Sequence, residues 1–150
     1  MITSPQSLLK NNMKKKLLLS AICMMTTIVI QAQVAEYKVV FDMTSNDTVN
    51  QQSLIRQVSS IRESNAQAKI EVVIYGRGLD LVVKNGSAQE QAVSRLLSDK
   101  NISFKVCAIT MKRNNVLQDR LLPGVMVVPD GIYEIVSKQQ QGWGYIKVAH

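Results

Sequence analysis

Histidine and cysteine are scarce in this sequence, and their scarcity excludes several kinds of catalytic site. The 150 residues contain one histidine, His150 at the last position, and two cysteines, Cys23 and Cys107. A zinc site needs three or four nitrogen, sulfur or carboxylate ligands at suitable spacings, so we expect no bound metal. A cysteine hydrolase needs a positioned base, and a histidine at the end of a chain is poorly suited to that role.

The N-terminal segment has the pattern of a secretory signal peptide. Three lysines follow Met13, an apolar run occupies residues 17–30, and Ala32 comes shortly after it. The run is shorter than the ~20 residues that span a membrane. We predict a start at Met13, a signal peptide within residues 1–32, and a periplasmic or secreted mature protein without membrane attachment. The alternative is a segment that stays uncleaved as an N-terminal anchor.

Cleavage after Ala32 changes both the charge and the cysteine count. Four of the 18 basic residues leave with the signal peptide, so 14 remain against 11 acidic residues, and the net charge falls from +7 to about +3. No arginine-rich face remains, so we expect no nucleic-acid partner. Cys107 becomes the only cysteine, which excludes an internal disulfide and leaves a thiol that is free, masked by burial, paired with another chain, or reactive.

Residues 33–150 alternate between strand-like and helix-like patterns, which is typical of a single α/β domain. Runs rich in β-branched residues predict five strands, at residues 36–43, 69–76, 104–109, 124–129 and 145–148. Apolar residues at helical spacing lie between most of them, whereas residues 79–83 fit neither class. The alternation predicts a three-layer α/β/α sandwich with a five-stranded, mainly parallel sheet.

Capping residues predict where the helices begin and end. We place helix starts at Asp47 or Thr48, at a capping box of Ser87 with Glu90, and at Asp130. A short polar helix is predicted over residues 114–120, before Pro123. Gly142 is predicted to end the last helix because it adopts a left-handed conformation easily.

Cys107 is the leading candidate for a reactive residue. It lies near the carboxyl end of the third predicted strand, and parallel sheets bind ligands beyond those ends. Lys112 and Arg113 follow it, and the backbone of Asn114 stands at a predicted helix start. All three are expected to favour the thiolate. The alternative is a small apolar side chain that only fills the core.

Two glycines and a tryptophan are candidate contacts for a ligand or a second subunit. Gly76 and Gly78 follow the second strand, but Leu81 stands where a dinucleotide site has its third glycine. A tight turn is therefore the alternative explanation, and we expect no cofactor. Trp143 lies between two glycines and is predicted either to fill such a contact or to pack as a core aromatic.

Several segments in a fixed order carry a family resemblance. They are KVVFDM and IEVVIYG in the first two strands, F-x-V-C-A-x-T-M at residues 104–111, LLPGV at 121–125, and VPDGIYEIVSKQQQGWGYIKV at 128–148. In this order they resemble the DsrE/DsrF family, which includes the DsrE, TusD and YchN-like proteins. The resemblance covers nearly all of residues 33–150.

The resemblance implies a DsrEFH-like sandwich that assembles with copies of itself as a trimer or hexamer. In the sulfur-relay members, a cysteine after the third strand carries a persulfide, and Cys107 is at the matching position. We therefore expect a sulfur carrier or thiol-redox acceptor, with at most sulfurtransferase-type activity and a sulfur donor or acceptor protein as partner. The alternative is a non-catalytic oligomeric module, for ligand binding or assembly, with a structural cysteine.

Overall fold

The computed structural model describes residues 36–148. The predicted signal peptide at residues 1–32 and the predicted cleavage after Ala32 lie outside the described residues. Between residues 36 and 148, no helix combines the length and the apolar character needed to cross a membrane.

Strands and helices alternate along the described chain. The elements are β1 (Lys38–Met43), α1 (Thr48–Ser64), β2 (Lys69–Ile74), a 3₁₀ helix (Gly76–Val82), α2 (Glu90–Leu96), β3 (Ile102–Cys107), α3 (Ala108–Arg113), a 3₁₀ turn (Gln118–Arg120), β4 (Met126–Val128), α4 (Gly131–Gln140) and β5 (Gly144–Val148). All five predicted strands are present, within a few residues of their expected bounds. The 3₁₀ helix includes most of residues 79–83, which matched neither regular pattern.

The five strands form one sheet in the order β4-β3-β2-β1-β5, and every neighbouring pair is parallel. The prediction of a five-stranded parallel sheet is confirmed. In the register of the sheet, Asp42 pairs with Val73 and Lys147, and Cys107 pairs with Val128. Because all strands run in one direction, their carboxyl ends meet along a single edge.

The two faces of the sheet differ in polarity, because successive side chains of a strand point to opposite faces. One face is apolar and packs against α1, with Phe41, Phe104 and Leu54 fully buried. On the other face, Val40 and Val73 pack against Ile135 of α4. Helices therefore cover both faces, as the predicted sandwich requires.

Side-chain caps fix the starts of the two longest helices. Asp47 accepts hydrogen bonds from the N–H groups of Val49 (2.8 Å) and Asn50 (3.2 Å), so Asp47 caps α1. Asp130 begins α4 in the same way and confirms its predicted role. Gly142 follows α4 with a φ of +80°, also as predicted.

The predicted capping box of Ser87 with Glu90 is wrong. The α2 helix begins at Glu90 itself. The Glu90 carboxylate accepts from the N–H of Asn85 (2.8 Å), and the Ser87 hydroxyl oxygen accepts from the N–H of Gln89 (3.1 Å). Both side chains therefore organise the loop before the helix, where local turns compete with a capping box.

The prediction of a helix over residues 114–120 is also wrong. The chain turns into α3 directly after Cys107, and α3 occupies Ala108–Arg113. Ile109 and Thr110 are β-branched and favoured extension of the strand, but burial of Met111 in the apolar core stabilises the helical turn. Only a 3₁₀ turn at Gln118–Arg120 remains of the predicted helix.

Candidate functional site

Cys107 lies at the junction between the sheet and a helix. It is the last residue of β3 and the N-cap residue of α3, with φ and ψ of −70° and 122°. The residue is a free cysteine with only 5% of its surface exposed. Its position at the carboxyl edge of the sheet agrees with the position inferred from the sequence.

Hydrogen-bond donors surround the sulfur atom of Cys107. Burial of the thiol raises its pKa, but the nearby backbone N–H groups of Gly131, Thr110 and Ile109 and the Thr110 hydroxyl more than offset this effect by stabilising the thiolate. The pKa of Cys107 therefore lies below its ordinary value. Such a thiolate is itself a nucleophile, so the site needs no histidine to remove a proton.

Gly131 brings the start of α4 against Cys107. A Cβ atom at position 131 would lie 3.2 Å from Cβ of Cys107, 3.3 Å from Cγ1 of Val73 and 3.4 Å from Cδ1 of Tyr75. The absence of a side chain therefore allows the helix start to approach the sulfur. Asp130 holds that start in place as the cap of α4.

A cavity of about 180 Å³ opens beside Cys107. Its lining residues are Tyr75, Cys107, Ile109, Thr110, Arg113, Asp130 and Ile132. Arg113 is the cationic residue of the lining, and among residues 36–148 no carboxylate forms an ion pair with it. The Asp130 carboxylate accepts from the N–H groups of Ile132 and Tyr133.

The predicted thiolate-stabilising residues have different positions. Arg113 lines the cavity, whereas Lys112, in the same last turn of α3, is not among the lining residues. Asn114 ends α3, and its N–H donates to the carbonyl oxygens of Thr110 (3.2 Å) and Met111 (3.1 Å). The prediction that a helix starts at Asn114 is wrong because α3 starts at Ala108. The donors near Cys107 come from Ile109, Thr110 and Gly131 instead.

The two glycines after β2 have structural reasons to be glycine. Gly76 has a φ of +57°, and its N–H donates to the Thr110 hydroxyl oxygen. Gly78 lies so close to β1 that a Cβ atom would be 2.4 Å from the carbonyl oxygen of Met43. Gly76 is therefore joined to the Cys107 site through Thr110, and Gly78 allows a close backbone approach.

Trp143 lies away from Cys107, just before β5, and therefore at the amino edge of the parallel sheet. Its ring packs near Val40, Val73 and Ile135, and Nζ of Lys138 lies 4.6 Å from the ring centroid. The structure thus does not bring Trp143 together with Cys107.

A buried carboxylate lies next to the cavity, on the same face of the sheet as Cys107. Oδ2 of Asp42 accepts hydrogen bonds from Tyr75 Oη (3.2 Å), Tyr145 Oη (2.7 Å) and Lys147 Nζ (3.1 Å). Asp42 is 3% exposed, and its Oδ1 atom is buried without a partner among residues 36–148. Burial and then the Asp42 charge raise the pKa of Tyr75, while burial and the hydrogen bond to Asp42 raise the pKa of Tyr145 to about 12.

A second charged cluster fixes α4 on the sheet. Lys105 lies 2.9 Å from Glu71 and 2.7 Å from Glu134, and Lys138 lies 3.1 Å from Glu71. Burial raises the pKa of Glu71, whereas in Glu134 the adjacent Lys105 outweighs burial and the pKa is lowered. Because Glu134 and Lys138 belong to α4, the cluster holds the helix that carries Gly131.

Sequence reasoning did not find Thr110, Gly131, Tyr75 or Asp42. Their positions in the sequence could have identified three of them, because Asp42, Tyr75 and Gly131 lie at or just beyond the carboxyl ends of predicted strands. In a parallel sheet such positions meet at one edge. The same edge holds no group of three or more His, Cys, Asp or Glu residues arranged for a metal ion, within the part of the chain that the structure describes.

Comparison with known proteins gives one family and one fold. The model of the DsrE/DsrF-like family matches residues 38–148. The protein of unknown function MTH1491 from Methanobacterium thermoautotrophicum is 32% identical, with a TM-score of 0.70, over 74% of this chain and 98% of that chain. No curated protein matches the sequence.

Two further solved structures share the fold at lower identity. The conserved protein of unknown function BT1422 from Bacteroides thetaiotaomicron is 15% identical, with a TM-score of 0.64, over 79% of this chain and 100% of that chain. The YchN protein from E. coli is 12% identical, with a TM-score of 0.63, over 75% of this chain and 98% of that chain.

Proposed function

The chain belongs to the DsrE/DsrF-like family, and from this premise we propose that it accepts sulfur on Cys107 and passes it on. The observation that carries the proposal is the set of N–H donors around the Cys107 sulfur, which lowers the pKa of the thiol. The adjoining cavity of about 180 Å³ gives a small sulfur compound access to an otherwise buried atom. A thiolate that only accepts sulfur needs no further base or cofactor.

In the accepting step, the Cys107 thiolate attacks the outer sulfur of a hydropolysulfide. Its electron pair forms the new S–S bond, and the S–S bond behind the outer sulfur breaks. The electron pair of that broken bond leaves with the shortened polysulfide, which also takes the proton of the outer sulfur. The products are a Cys107 persulfide anion and a shorter hydropolysulfide, so the step balances without an external oxidant.

In the release step, a thiolate of the acceptor attacks the outer sulfur of the persulfide. The bond between that sulfur and Cys107 breaks, and its electron pair returns to Cys107 as the thiolate. The N–H groups of Gly131, Thr110 and Ile109 stabilise this leaving thiolate as well as the attacking one. A leaving thiol with a lowered pKa departs faster, so the same donors serve both steps.

Intact mass spectrometry after exposure to inorganic polysulfide tests the proposal. We expect wild-type protein to gain sulfur atoms that a thiol reductant removes, and we expect Cys107→Ser to gain none. An unrelated protein with an exposed thiol serves as the positive control. Wild-type protein that stays unmodified while this control gains sulfur rules out sulfur carriage.

A second candidate is a non-catalytic assembly or ligand-binding module, and it is favoured by exposed apolar side chains, of which Ile109 and Ile132 line the cavity. Ile132, Tyr133 and Val136 of α4 are 59%, 74% and 44% exposed, and Ile109 is 43% exposed. Exposed apolar clusters of this kind often mark protein–protein contacts. In this reading Cys107→Ser leaves assembly intact, whereas a carrier loses sulfur uptake and keeps its fold.

We propose that the surface formed by Ile109, Ile132, Tyr133 and Val136 contacts further copies of the chain in a homotrimer or homohexamer. Light scattering coupled to gel filtration measures the assembly, and Tyr133→Glu is expected to dissociate it. A monomeric wild-type protein at micromolar concentration contradicts this proposal and leaves sulfur uptake untouched.

We also propose that the mature protein is exported, because residues 13–32 have the signal-peptide pattern. Cell fractionation and intact mass of the exported form are the measurements, and Gln33 is the expected first residue. Recovery of the protein in the membrane fraction with Met13 still attached supports an uncleaved anchor instead.

A further inference from the structure

Access to Cys107 depends on the size and shape of its cavity. Cys107 is 5% exposed, and the cavity beside it has about 180 Å³. Pockets that hold drug-sized ligands are roughly 300–1,000 Å³, so this one fits a smaller molecule. The side chains that define the cavity therefore select which sulfur donors reach the sulfur.

Tyr75 is the aromatic side chain that lines the cavity, and its hydroxyl is bonded to a residue that does not line the cavity. Its hydroxyl donates to Oδ2 of Asp42 at 3.2 Å, and Asp42 is 3% exposed. Hydrogen bonds to a carboxylate are stronger than those between neutral groups. A phenol is protonated at neutral pH, and burial and the Asp42 charge raise the pKa of Tyr75 further, so its hydroxyl is a donor to Asp42.

The other end of the Tyr75 ring lies against the start of α4. Cδ1 of Tyr75 would be 3.4 Å from a Cβ atom at Gly131, the residue whose N–H helps to lower the pKa of Cys107. The ring is thus fixed between the Asp42 carboxylate and the Gly131 backbone. Ile109 and Ile132, which also line the cavity, are 43% and 59% exposed and have no comparable anchor.

We propose that Tyr75, held in position by Asp42, is a specificity-determining residue that limits Cys107 to small sulfur donors such as inorganic polysulfides. Asp42 is a positioning residue that acts only through Tyr75. The inference rests on the proposed sulfur-accepting function of Cys107. It adds the substrate class: low-molecular-mass compounds with a sulfane sulfur react, and a large donor reaches Cys107 slowly.

This restriction is compatible with release of sulfur to a larger acceptor. Once Cys107 carries a persulfide, the outer sulfur lies one S–S bond, about 2.05 Å, beyond Sγ. An acceptor thiolate attacks that outer sulfur and does not have to reach Sγ. The geometry therefore favours a small donor and permits a protein acceptor.

Alkylation with two reagents of the same chemistry and different size provides the test. Alkylation rate constants are measured for iodoacetamide, the small reagent, and for 5-iodoacetamidofluorescein, the bulky one. The readout is the rate constant of the bulky reagent divided by that of the small reagent. A change in thiol pKa alters both rates together, so the ratio reports access. We expect Tyr75→Ala to raise the ratio at least about tenfold, the low end of effects of pocket shape on discrimination. Tyr75→Phe and Asp42→Asn are expected to raise it less.

Tyr145→Phe is the matched control. It removes a hydroxyl that donates to the same Asp42 oxygen at 2.7 Å, but Tyr145 does not line the cavity. We expect its ratio to equal that of wild type. An unchanged ratio in Tyr75→Ala overturns the proposal, and so does an equal rise in Tyr145→Phe and Tyr75→Phe. Urea-unfolded wild-type protein gives the ratio of rate constants for a thiol without a cavity. If Tyr75→Ala has this ratio because the variant does not fold, Tyr75→Leu replaces it. The proposal then requires a higher ratio in Tyr75→Leu than in wild type.

Sulfur donors of different size connect this test to the proposed function. Wild type is expected to gain sulfur faster from inorganic polysulfide than from glutathione persulfide, whose outer sulfur bonds to Cys107 as glutathione thiolate leaves. Tyr75→Ala is expected to narrow this difference in rate. If no donor modifies Cys107 while the alkylation ratio behaves as expected, sulfur carriage is wrong and the access restriction stands. If both donors react equally fast with wild type, the access restriction is wrong and sulfur carriage stands.

Discussion

The backbone N–H of Gly76 donates a hydrogen bond of 3.1 Å to the hydroxyl oxygen of Thr110. This bond joins the turn after β2 to the first turn of α3. In it, the Thr110 hydroxyl oxygen is the acceptor. The hydroxyl proton remains available for Cys107, whose pKa it helps to lower. Thr110 therefore supports both the backbone after β2 and the thiolate.

Replacement of Thr110 by valine is expected to separate these two roles. In Thr110→Val, alkylation of Cys107 by iodoacetamide at neutral pH should slow roughly tenfold, because a hydrogen bond to a charged group contributes about 1.5–3 kcal/mol. The free energy of unfolding should fall by about 1 kcal/mol, since the Gly76 N–H loses its partner. Thr110→Ser keeps the hydroxyl and should retain the wild-type rate. Equal rates in the two variants contradict the role of the hydroxyl.

A methyl group at Gly131 is expected to weaken reactivity more than stability. In Gly131→Ala the new Cβ would lie 3.2 Å from Cβ of Cys107, so the start of α4 must move away from the sulfur. The Gly131 N–H then lies further from the thiolate and stabilises it less, and alkylation at neutral pH should slow by up to about tenfold. Alanine favours helix over glycine by up to ~1 kcal/mol, which offsets part of the contact cost.

Gly142→Ala is the matched glycine control. Gly142 has a φ of +80° and no atom within 4 Å of an added Cβ. Its replacement should cost about 1 kcal/mol of stability because of the left-handed conformation, with an unchanged alkylation rate. If Gly142→Ala slows alkylation as much as Gly131→Ala does, the contact between Gly131 and Cys107 is not the cause.

Loss of Lys105 is expected to destabilise the protein through the cluster under α4. In Lys105→Met, the almost fully buried Glu71 loses a partner at 2.9 Å, and Glu134 loses one at 2.7 Å. Removing one partner of a buried pair costs about 3–5 kcal/mol, and the lower end applies because Lys138 remains 3.1 Å from Glu71. Urea denaturation measures the loss. Lys100→Met, at an exposed position, should change stability by less than about 0.5 kcal/mol, and equal losses in both variants contradict the expectation.

Asp99 is expected to stabilise the fold only at pH values at which its carboxylate is ionised. The N–H of Asn101 and then Arg62 lower the pKa of Asp99, despite partial burial. A carboxylate whose pKa is lowered on folding contributes stability above its unfolded pKa and loses that contribution as pH falls through its folded pKa. Asp99→Asn should therefore cost about 1 kcal/mol or less at pH 7, since the carboxylate is partly exposed.

The free energies of unfolding of Asp99→Asn and wild type are also compared at low pH. The difference should vanish below the lowered pKa of Asp99, where wild-type Asp99 is itself neutral. Asp119→Asn serves as the control, because the Asp119 carboxylate forms no ion pair among the described residues. A deficit in Asp99→Asn that is the same at neutral and acidic pH points to packing and contradicts the electrostatic explanation.

Local chemistry explains which features the sequence predicted. The alternation of β-rich and helical runs fixed the class of sheet, because parallel strands need crossover helices. Asp47 and Asp130 identified helix starts because a cap bonds N–H groups only two or three residues away. The position of Cys107 at a strand end was likewise readable from its own segment. In contrast, residues 108–113 were misassigned because burial of Met111 outweighs the strand preference of Ile109 and Thr110.

The sequence alone determined the five strands, the starts of α1 and α4, the family resemblance and the cysteine at the edge of the sheet. Only the tertiary structure brought Gly131 against Cys107, through the pairing of β4 beside β3, and joined Tyr75 to Asp42 through the pairing of β2 beside β1. The physical reason is that caps and periodicity act over a few residues of chain. Ile109 and Thr110 follow Cys107 directly, but Gly131 and Tyr75 follow the neighbouring strands β4 and β2, and only the assembled sheet brings them to the sulfur.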